Sequence, residues 1–476
     1  MKDNCIVAQS GGPTVAINAS LAGVIDGVKK SNKFTRVYGA IHGIQGVLDN
    51  NFIDLSLMAL SKFPLVNTLE LSPAMYLGSC RYKLPDFEVD SKPYEIIFDR
   101  FEEYQVAAFF YIGGNDSMDT VDKLSKYANK IGSDVKIVGI VYEKSTTKNG
   151  HTMLTIEDDT DTIKVFISRD SPLASESFVN DEVIGIQGKP NRERTMIIPE
   201  KIYRPDIPRH NQWEPSDTPS KVAFLSDVHV GSCTFLEKDW YKMIAWLKAN
   251  SVKDDINYIV FPGDVVDGIG VFPDQDKELI INDIDDQYAK LAEYLKDIPD
   301  HIKMIIHPGN HDACRLAEPQ PALNQRFTKG FDSNILMVGN PIYLDIEGRT
   351  VLTYHGKSMD DWIAAVQNLT YDNPLSVMKQ MCVRRHLAPI YGQRNALAPE
   401  KKDYMCMELV PDIFVSGHVH GAGQEIYNGV RLINASTWQS QTEYQRQHNF
   451  NPDPGIMPVV ELGSGRIRMH NFHEEA

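Results

Sequence analysis

"KMIIHPGNHD", residues 303–312, is an apolar run that breaks at Pro308-Gly309 into a polar cluster. An apolar segment closed by Pro and Gly reads as a strand running into a loop. Four other runs end the same way: "KVAFLSDVH" (221–229), "YIVFPGD" (258–264), "TVLTYHG" (350–356) and "DIFVSGHVHG" (412–421). Helical or irregular stretches separate them, so strands alternate with helices, which implies an α/β domain with parallel pairing. Open α/β sheets gather their ligand sites beyond the C-terminal ends of strands. The five polar clusters are therefore expected to meet at one point, although they are far apart in the chain.

The residues in those clusters are Asp227, His229, Asp264, Asn310, His311, His355, His418 and His420. A single histidine near a strand end is usually structural, and a single Gly-Asp is usually a turn. Five such clusters in order call for one explanation. Carboxylate and imidazole donors suit divalent cations, manganese first, with magnesium, iron or zinc as alternatives. Two ions about 3.5–4 Å apart need a bridging carboxylate, and Asp264, the lone Asp at its strand end, is the natural bridge. Asp-x-His and His-x-His in an extended loop put both side chains on one side. Such a pair of ions activates water and stabilises the charge that develops during in-line displacement at phosphorus.

These motifs resemble the calcineurin-like metallophosphoesterase superfamily. Within it, "FLSDVHVGS", "FPGDVVDGIG", "HPGNHD", "LTYHGKSMDDWI", "RRHLAPIYG" and "PDIFVSGHVHG" are similar to the small subunits of archaeal family D DNA polymerases. The resemblance covers about residues 135–470. It implies a phosphoesterase α/β sandwich and a proofreading 3′–5′ exonuclease that works on DNA beside a large catalytic subunit. Asp227, His229, Asp264 and His420 would then hold one ion, and Asp264, Asn310, His355 and His418 the other. His311 would protonate the leaving 3′-oxygen, with Asp312 orienting it. A non-catalytic scaffold is the alternative, and the intact ligand set argues against it. The locally basic "KQMCVRRHLAPIYGQRN" (379–395) offers Lys379, Arg384 and Arg385 as contacts to DNA or to the large subunit, or else a solvated helix face.

Ahead of this domain, residues 135–205 alternate apolar and polar positions, with a hairpin turn at "KNG". They read as an OB-like β-barrel. Tyr142, Phe166 and Phe178 are its few candidates for base stacking, and subunit docking is its expected role. A Pro-rich, aperiodic stretch at 206–220 reads as a linker before the domain of 221–476.

The front, residues 1–134, alternates strands ("CIVAQ", "AAFFYIGG") with amphipathic helices. "IVAQSGGPTVAINASLAGVI" and "FFYIGGNDSMDTVDKLSKYANKIGSDVK" resemble phosphofructokinases, especially the pyrophosphate-dependent branch. That resemblance implies a truncated doubly wound α/β fragment. Gly11, Gly12, Arg81, Asn115 and Asp116 are its vestigial phosphate-binding residues. After "VKIVGI", where that family carries its catalytic base, the chain continues "VYEKSTTKNGHT". The base, the sugar site and the second lobe are missing, so sugar-phosphate kinase activity is not expected.

Bulk properties agree with several domains. The 476 residues exceed one core, and 42% hydrophobic with 24% charged is ordinary for a globular protein. The start lacks the pattern of a signal peptide, and no apolar run is long enough to span a membrane. The expectation is a cytoplasmic, nucleoid-associated protein. Six scattered cysteines form no C-x-x-C pair and suggest free thiols. A net charge of −16 argues against a broad basic DNA-gripping face, but not against an enzyme whose own carboxylates hold cations.

Overall fold

The computed structural model describes all residues except 1–3, 13–14, 32, 57–68, 70–71, 73–74, 131–134, 192–194, 209–210, 448–449 and 474–476. It is a mixed α/β structure with three sheets and one closed barrel among the described residues. The chain falls into two compact units. One comprises Met1–Gly139, Thr146–Leu173 and Gly185–Ile202; the other comprises Ile140–Ser145, Ala174–Ile184 and Tyr203–Ala476. The junction read at 134–135 abuts residues 131–134, which are outside the described residues.

The front of the first unit carries β1 (Asn4–Gln9), β2 (Arg36–Ala40), β3 (Phe52–Asp54) and β4 (Val106–Ile112), in the order β3-β2-β1-β4. β1 lies parallel to both β2 and β4. Alternate β1 side chains enter different cores, as the two-residue period of a strand requires. Ile6 and Ala8 pack with Tyr94, Ile97, Leu124 and Tyr127; Cys5 and Val7 pack with Leu21, Ala22 and Ile25. The sheet is therefore buried on both faces, and this accounts for its near-continuous apolar strands. Among the described residues β4 is an edge strand, with Phe110 exposed.

β5 (Val135–Thr146), β6 (Thr152–Glu157), β7 (Thr162–Ile167), β8 (Val183–Pro190) and β9 (Met196–Tyr203) close a barrel in the order β5-β6-β7-β9-β8. β6 and β7 are antiparallel, β7 and β9 parallel. The hairpin read at "KNG" joins β5 to β6, closed by Thr147 N–H donating to His151 O at 2.8 Å.

The second unit holds two further sheets. β10 (Lys221–Phe224), β11 (Ile256–Pro262), β12 (Lys303–His307), β13 (Ile335–Met337), β19 (Ile456–Glu461) and β20 (Ile467–Asn471) run in the order β13-β12-β11-β10-β19-β20. β14 (Ile342–Ile346), β15 (Arg349–Thr353), β16 (Ile413–Ser416), β17 (Ala422–Tyr427) and β18 (Val430–Ala435) run in the order β14-β15-β16-β18-β17. Val222, Phe224, Val260 and Ile305 of the first sheet share a core with Val351, Ile413, Val415 and Ile433 of the second. Helices Glu237–Asn250 and Ile284–Lys296 cover the outer face of the first sheet. Met359–Ala365 and Pro374–Arg384 cover the outer face of the second. The stretch read as a linker is packed down on this unit: Ile207 is buried, and Trp213 Nε1–H donates to Gly463 O at 3.0 Å beneath Arg349 and Arg431. No helix among the described residues is long and apolar enough to cross a membrane.

Candidate metal centre

β10, β11 and β12 are parallel neighbours, as are β15 and β16. The loops leaving their C-terminal ends lock together through the backbone. Asp227 N–H donates to Gly263 O at 3.1 Å, His229 N–H to Asp264 O at 3.1 Å and Gly417 N–H to His355 O at 2.9 Å. Gly263 and Gly309 make this close approach possible, since a Cβ on Gly263 would lie 2.8 Å from Gly309 Cα. This is the physical reason for glycine in both "PGD" and "PGN".

The seven expected ligands gather in two groups. In the first, His420 Nε2 lies 3.4 Å and His229 Nε2 3.9 Å from Asp227 Oδ1, and the two Nε2 atoms face each other at 3.1 Å. In the second, His355 Nε2 lies 3.2 Å from Asp264 Oδ2 and 3.0 Å from Asn310 Oδ1. Donor atoms of Asp264, His355 and His418 fall within 4.8 Å of one another. Asp264 is felt on both sides, by His355 and His311 and by His229. Asp227, His229, Asp264, His355 and His420 are buried.

The arrangement suits cations. His355 Nδ1–H donates to Pro262 O at 2.9 Å, and His229 Nδ1 pairs with Asp267 Oδ1 at 3.0 Å. An imidazole held at Nδ1 presents the Nε2 lone pair, and here those lone pairs face carboxylates and one another. Bare acceptors at such distances repel unless positive charge lies between them. Burial alone would lower His355, yet the neighbouring Asp264 and Asp227 raise it to about 10. Burial likewise opposes ionisation of Asp264, yet His355 and His311 hold it well below the usual carboxylate range. In effect, the imidazoles are drawn toward supplying the positive charge that divalent ions would bring.

The backbone here departs from expectation. Asp-x-His and His-x-His do not lie in extended loops. Asp227, His229, Asp264, His418 and His420 have φ between 48° and 70°, a left-handed conformation that costs non-glycine residues energy. Such strain persists where surrounding contacts over-determine it, characteristically at functional sites.

His311 sits among these groups, its ring 4.7 Å from that of His229. Its Nδ1–H donates to the Asp267 carbonyl at 2.8 Å, and its backbone N–H to Asp264 Oδ1 at 2.8 Å. Nε2 is left for the site. Asp312 does not orient His311. It is buried and accepts from Gly309 N–H at 2.8 Å and Tyr288 Oη at 3.1 Å, so it clamps the loop instead. Burial, with Asp264 nearby, pushes its carboxyl up to about 6.

Three positioning residues were not read from the sequence. Asp267 holds His229. Asp360 Oδ1 lies 3.4 Å from His418 Nε2 while its Oδ2 takes Lys357 Nζ at 2.7 Å. Gln445 meets His420 Nδ1 at 2.8 Å. The second carboxylate of "GDVVDG" and the Asp pair of "KSMDD" were the available signals; Gln445 had none.

In the basic stretch 379–395, the three cations named above all have partners within the chain. Arg384 is buried, paired through Nε with Glu182 Oε2 at 2.7 Å and stacked over Trp362. Arg385 donates to the carbonyls of Met407 and Glu408, each at 2.8 Å. Lys379 lies 3.9 Å from Glu425 and over the Tyr427 ring. Phe178 of the barrel segment is likewise buried beneath Arg204 and is withheld from bases.

At the front, β1 and β4 bring their Gly-Gly loops together. Gly11 and Gly12 are exposed, with Gly11 close against Gly114. Asn115 and Asp116 begin helix Asn115–Lys130, and Asp116 pairs with Lys83 at 2.9 Å. Arg81 is exposed in the segment that follows Ser79, whose hydroxyl donates to Gly11 O.

Two family models match separate parts of the chain. The family of B-type subunits of DNA polymerases alpha and epsilon matches residues 222–421, and the phosphofructokinase family matches 4–149. Among curated proteins, the chain is 42% identical to the DNA polymerase II small subunit of Thermoplasma acidophilum. That match covers 73% of this chain and 72% of the relative. It is also 42% identical to the protein of the same name from Archaeoglobus fulgidus, with the same coverage. Among solved structures, a pyrophosphate-dependent phosphofructokinase from Marinobacter aquaeolei aligns at 36% identity over 28% of this chain and 31% of its own, with a TM-score of 0.24.

Proposed function

The chain belongs to the family of DNA polymerase II small subunits, and from that premise we propose that it is the 3′–5′ exonuclease component of a family D DNA polymerase. It acts on the 3′ end of DNA beside a large catalytic subunit. The observation that carries this reading is the complete donor set, with seven ligand side chains in two adjoining groups at five strand ends.

Asp227, His229, Asp264 and His420 would hold one divalent ion, and Asp264, Asn310, His355 and His418 the other, with Asp264 common to both sets. When bound, the ions supply an activated water and neutralise charge at phosphorus. The chain's own residues do the rest. Asp267, through its carboxylate on His229 and its carbonyl on His311, sets both imidazoles. His311 Nε2 gives a proton to the 3′-oxygen of the penultimate nucleotide as its bond to phosphorus breaks, releasing the terminal nucleotide as a 5′-monophosphate. The barrel order β5-β6-β7-β9-β8 supports the OB-like reading, and the paired sheets between helical layers support the phosphoesterase sandwich.

Manganese-dependent release of mononucleotides from single-stranded DNA tests the proposal. Asp264→Ala and His311→Ala, with unchanged circular dichroism, should lose it, His311→Ala by about 10²–10⁴-fold. A pure scaffold gives no release in any form.

A further inference from the structure

The loop that follows Asp267 is built as a fixed apolar tip beside the catalytic centre. Its base is pinned by two buried glutamines. Gln287 Oε1 accepts from Gly268 N–H at 2.9 Å, and its Nε2 donates to Gly268 O at 3.0 Å. Gln275 Nε2 donates to the carbonyl and carboxylate of Asp267, at 2.8 and 2.9 Å, and its Oε1 accepts from Val271 N–H at 2.9 Å. At Gly268 (φ 74°) a Cβ would collide with the carbonyl oxygen of His311. The loop therefore starts pressed against the residue that delivers the proton, and Asp267 anchors both.

The tip is exposed where a soluble protein has least reason to expose it. Ile269 is 48% and Val271 37% accessible. Phe272 is half-buried, joins none of the hydrophobic cores among the described residues and has its ring 6.3 Å from that of His311 at 60°. Asp274, Asp276 and Glu278 follow, with Lys277 the lone cation among them. Phosphates are repelled by such a segment, whereas the uncharged face of a base is not. In an exonuclease the base of the departing nucleotide lies one sugar away from the phosphate being cut. An aromatic side chain takes any base by its π face, which suits a reaction indifferent to sequence.

We propose that Phe272, flanked by Ile269 and Val271, is the platform on which the unpaired 3′-terminal base stacks. The site thereby selects frayed or mismatched ends over paired ones. A base inside a duplex already has its faces covered and must be unstacked first, a cost least for a mismatch. This inference rests on the nuclease reading of the same centre.

The test uses the full chain and an oligodeoxynucleotide carrying 2-aminopurine at its 3′ terminus. With calcium in place of manganese, binding to wild type quenches the probe. Phe272→Ala loses the quench, and Phe272→Trp retains it. In manganese, Phe272→Ala raises KM for single-stranded DNA about tenfold, the size of one lost base–aromatic stack, and narrows the preference for a mismatched over a paired primer end. Wild-type quench, KM and mismatch preference in Phe272→Ala would overturn the platform while leaving the nuclease intact. A wild-type chain that neither binds nor cuts DNA overturns the nuclease reading and the platform together. Capture of the large subunit that fails only in Phe272→Ala, with DNA behaviour unaltered, assigns the tip to docking and overturns the proposal.

Discussion

Asp267 shows how much one side chain outside the ligand set does here. Its Oδ1 holds His229 Nδ1, its Oδ2 takes Gln275 and its carbonyl holds His311 Nδ1. The motif "GDVVDG" displayed this second carboxylate, but spacing alone does not say which imidazole it serves. The clustering of the expected ligands was legible because residue type and strand-end position are both written in the sequence. The left-handed backbone of five of them was not, because Asp and His adopt that conformation only when neighbouring loops enforce it. Asp312 was misread for a similar reason: adjacency to His311 in sequence does not decide where a buried carboxylate finds its donors. Asp267→Asn is expected to weaken manganese binding about 10–100-fold, as loss of a histidine-orienting carboxylate does elsewhere, read by calorimetric titration. Unchanged affinity contradicts the role given to it.

Among the elements, helix Pro374–Arg384 is tied to the 174–184 segment through a buried ion network. Glu182 receives Arg384 Nε at 2.7 Å and Arg204 Nε at 3.0 Å, while both guanidinium groups donate to Ser177 O, at 2.8 and 2.6 Å. Burial pulls Arg384 down to about 10 against the charge of Glu182. The sequence offered a basic cluster; which cations a fold consumes internally depends on carboxylates far away in the chain. Arg384→Ala should cost about 3 kcal/mol in chemical denaturation, since it strips a partner from a buried charge. A loss well under about 1 kcal/mol, the range of an exposed pair, would return Arg384 to the surface role. A second tie, outside the candidate metal centre, joins His386 to Asp403 at 2.8 Å. Ala388 N–H donates to His386 Nδ1, so Nε2 carries the proton and donates to Asp403. That hydrogen bond holds Asp403 at about 2, below its ordinary 3.8. A lowered carboxyl stabilises the fold above its unfolded value and loses that contribution as pH falls toward the folded one. Asp403→Asn should therefore be less stable than wild type at neutral pH, by at most about 1 kcal/mol for so exposed a pair. The gap should narrow as pH falls below the ordinary carboxylate value, over the range in which the chain stays folded. A gap that stays constant with pH contradicts the charge-based account.

For the molecule as a whole, strand-and-helix alternation made the α/β architecture of the second unit readable, because each parallel strand is apolar along its length and polar at its end. The front was readable too: its phosphofructokinase-like stretches and the matching family model at 4–149 agree. Its sheet ends on β4 with Phe110 exposed. The packing of 206–220 against the second unit was hidden, since Pro-rich polar sequence reads the same whether it is free or strapped down. On the function proposed above, this small subunit cuts DNA rather than only supporting a polymerase. The most direct measurement follows a 5′-labelled single strand with manganese, wild type against Asp264→Ala, both in complex with the large subunit. A ladder shortening stepwise from the 3′ end is expected with wild type, and an intact strand with Asp264→Ala. Equal shortening in both, or none in either, would contradict that function.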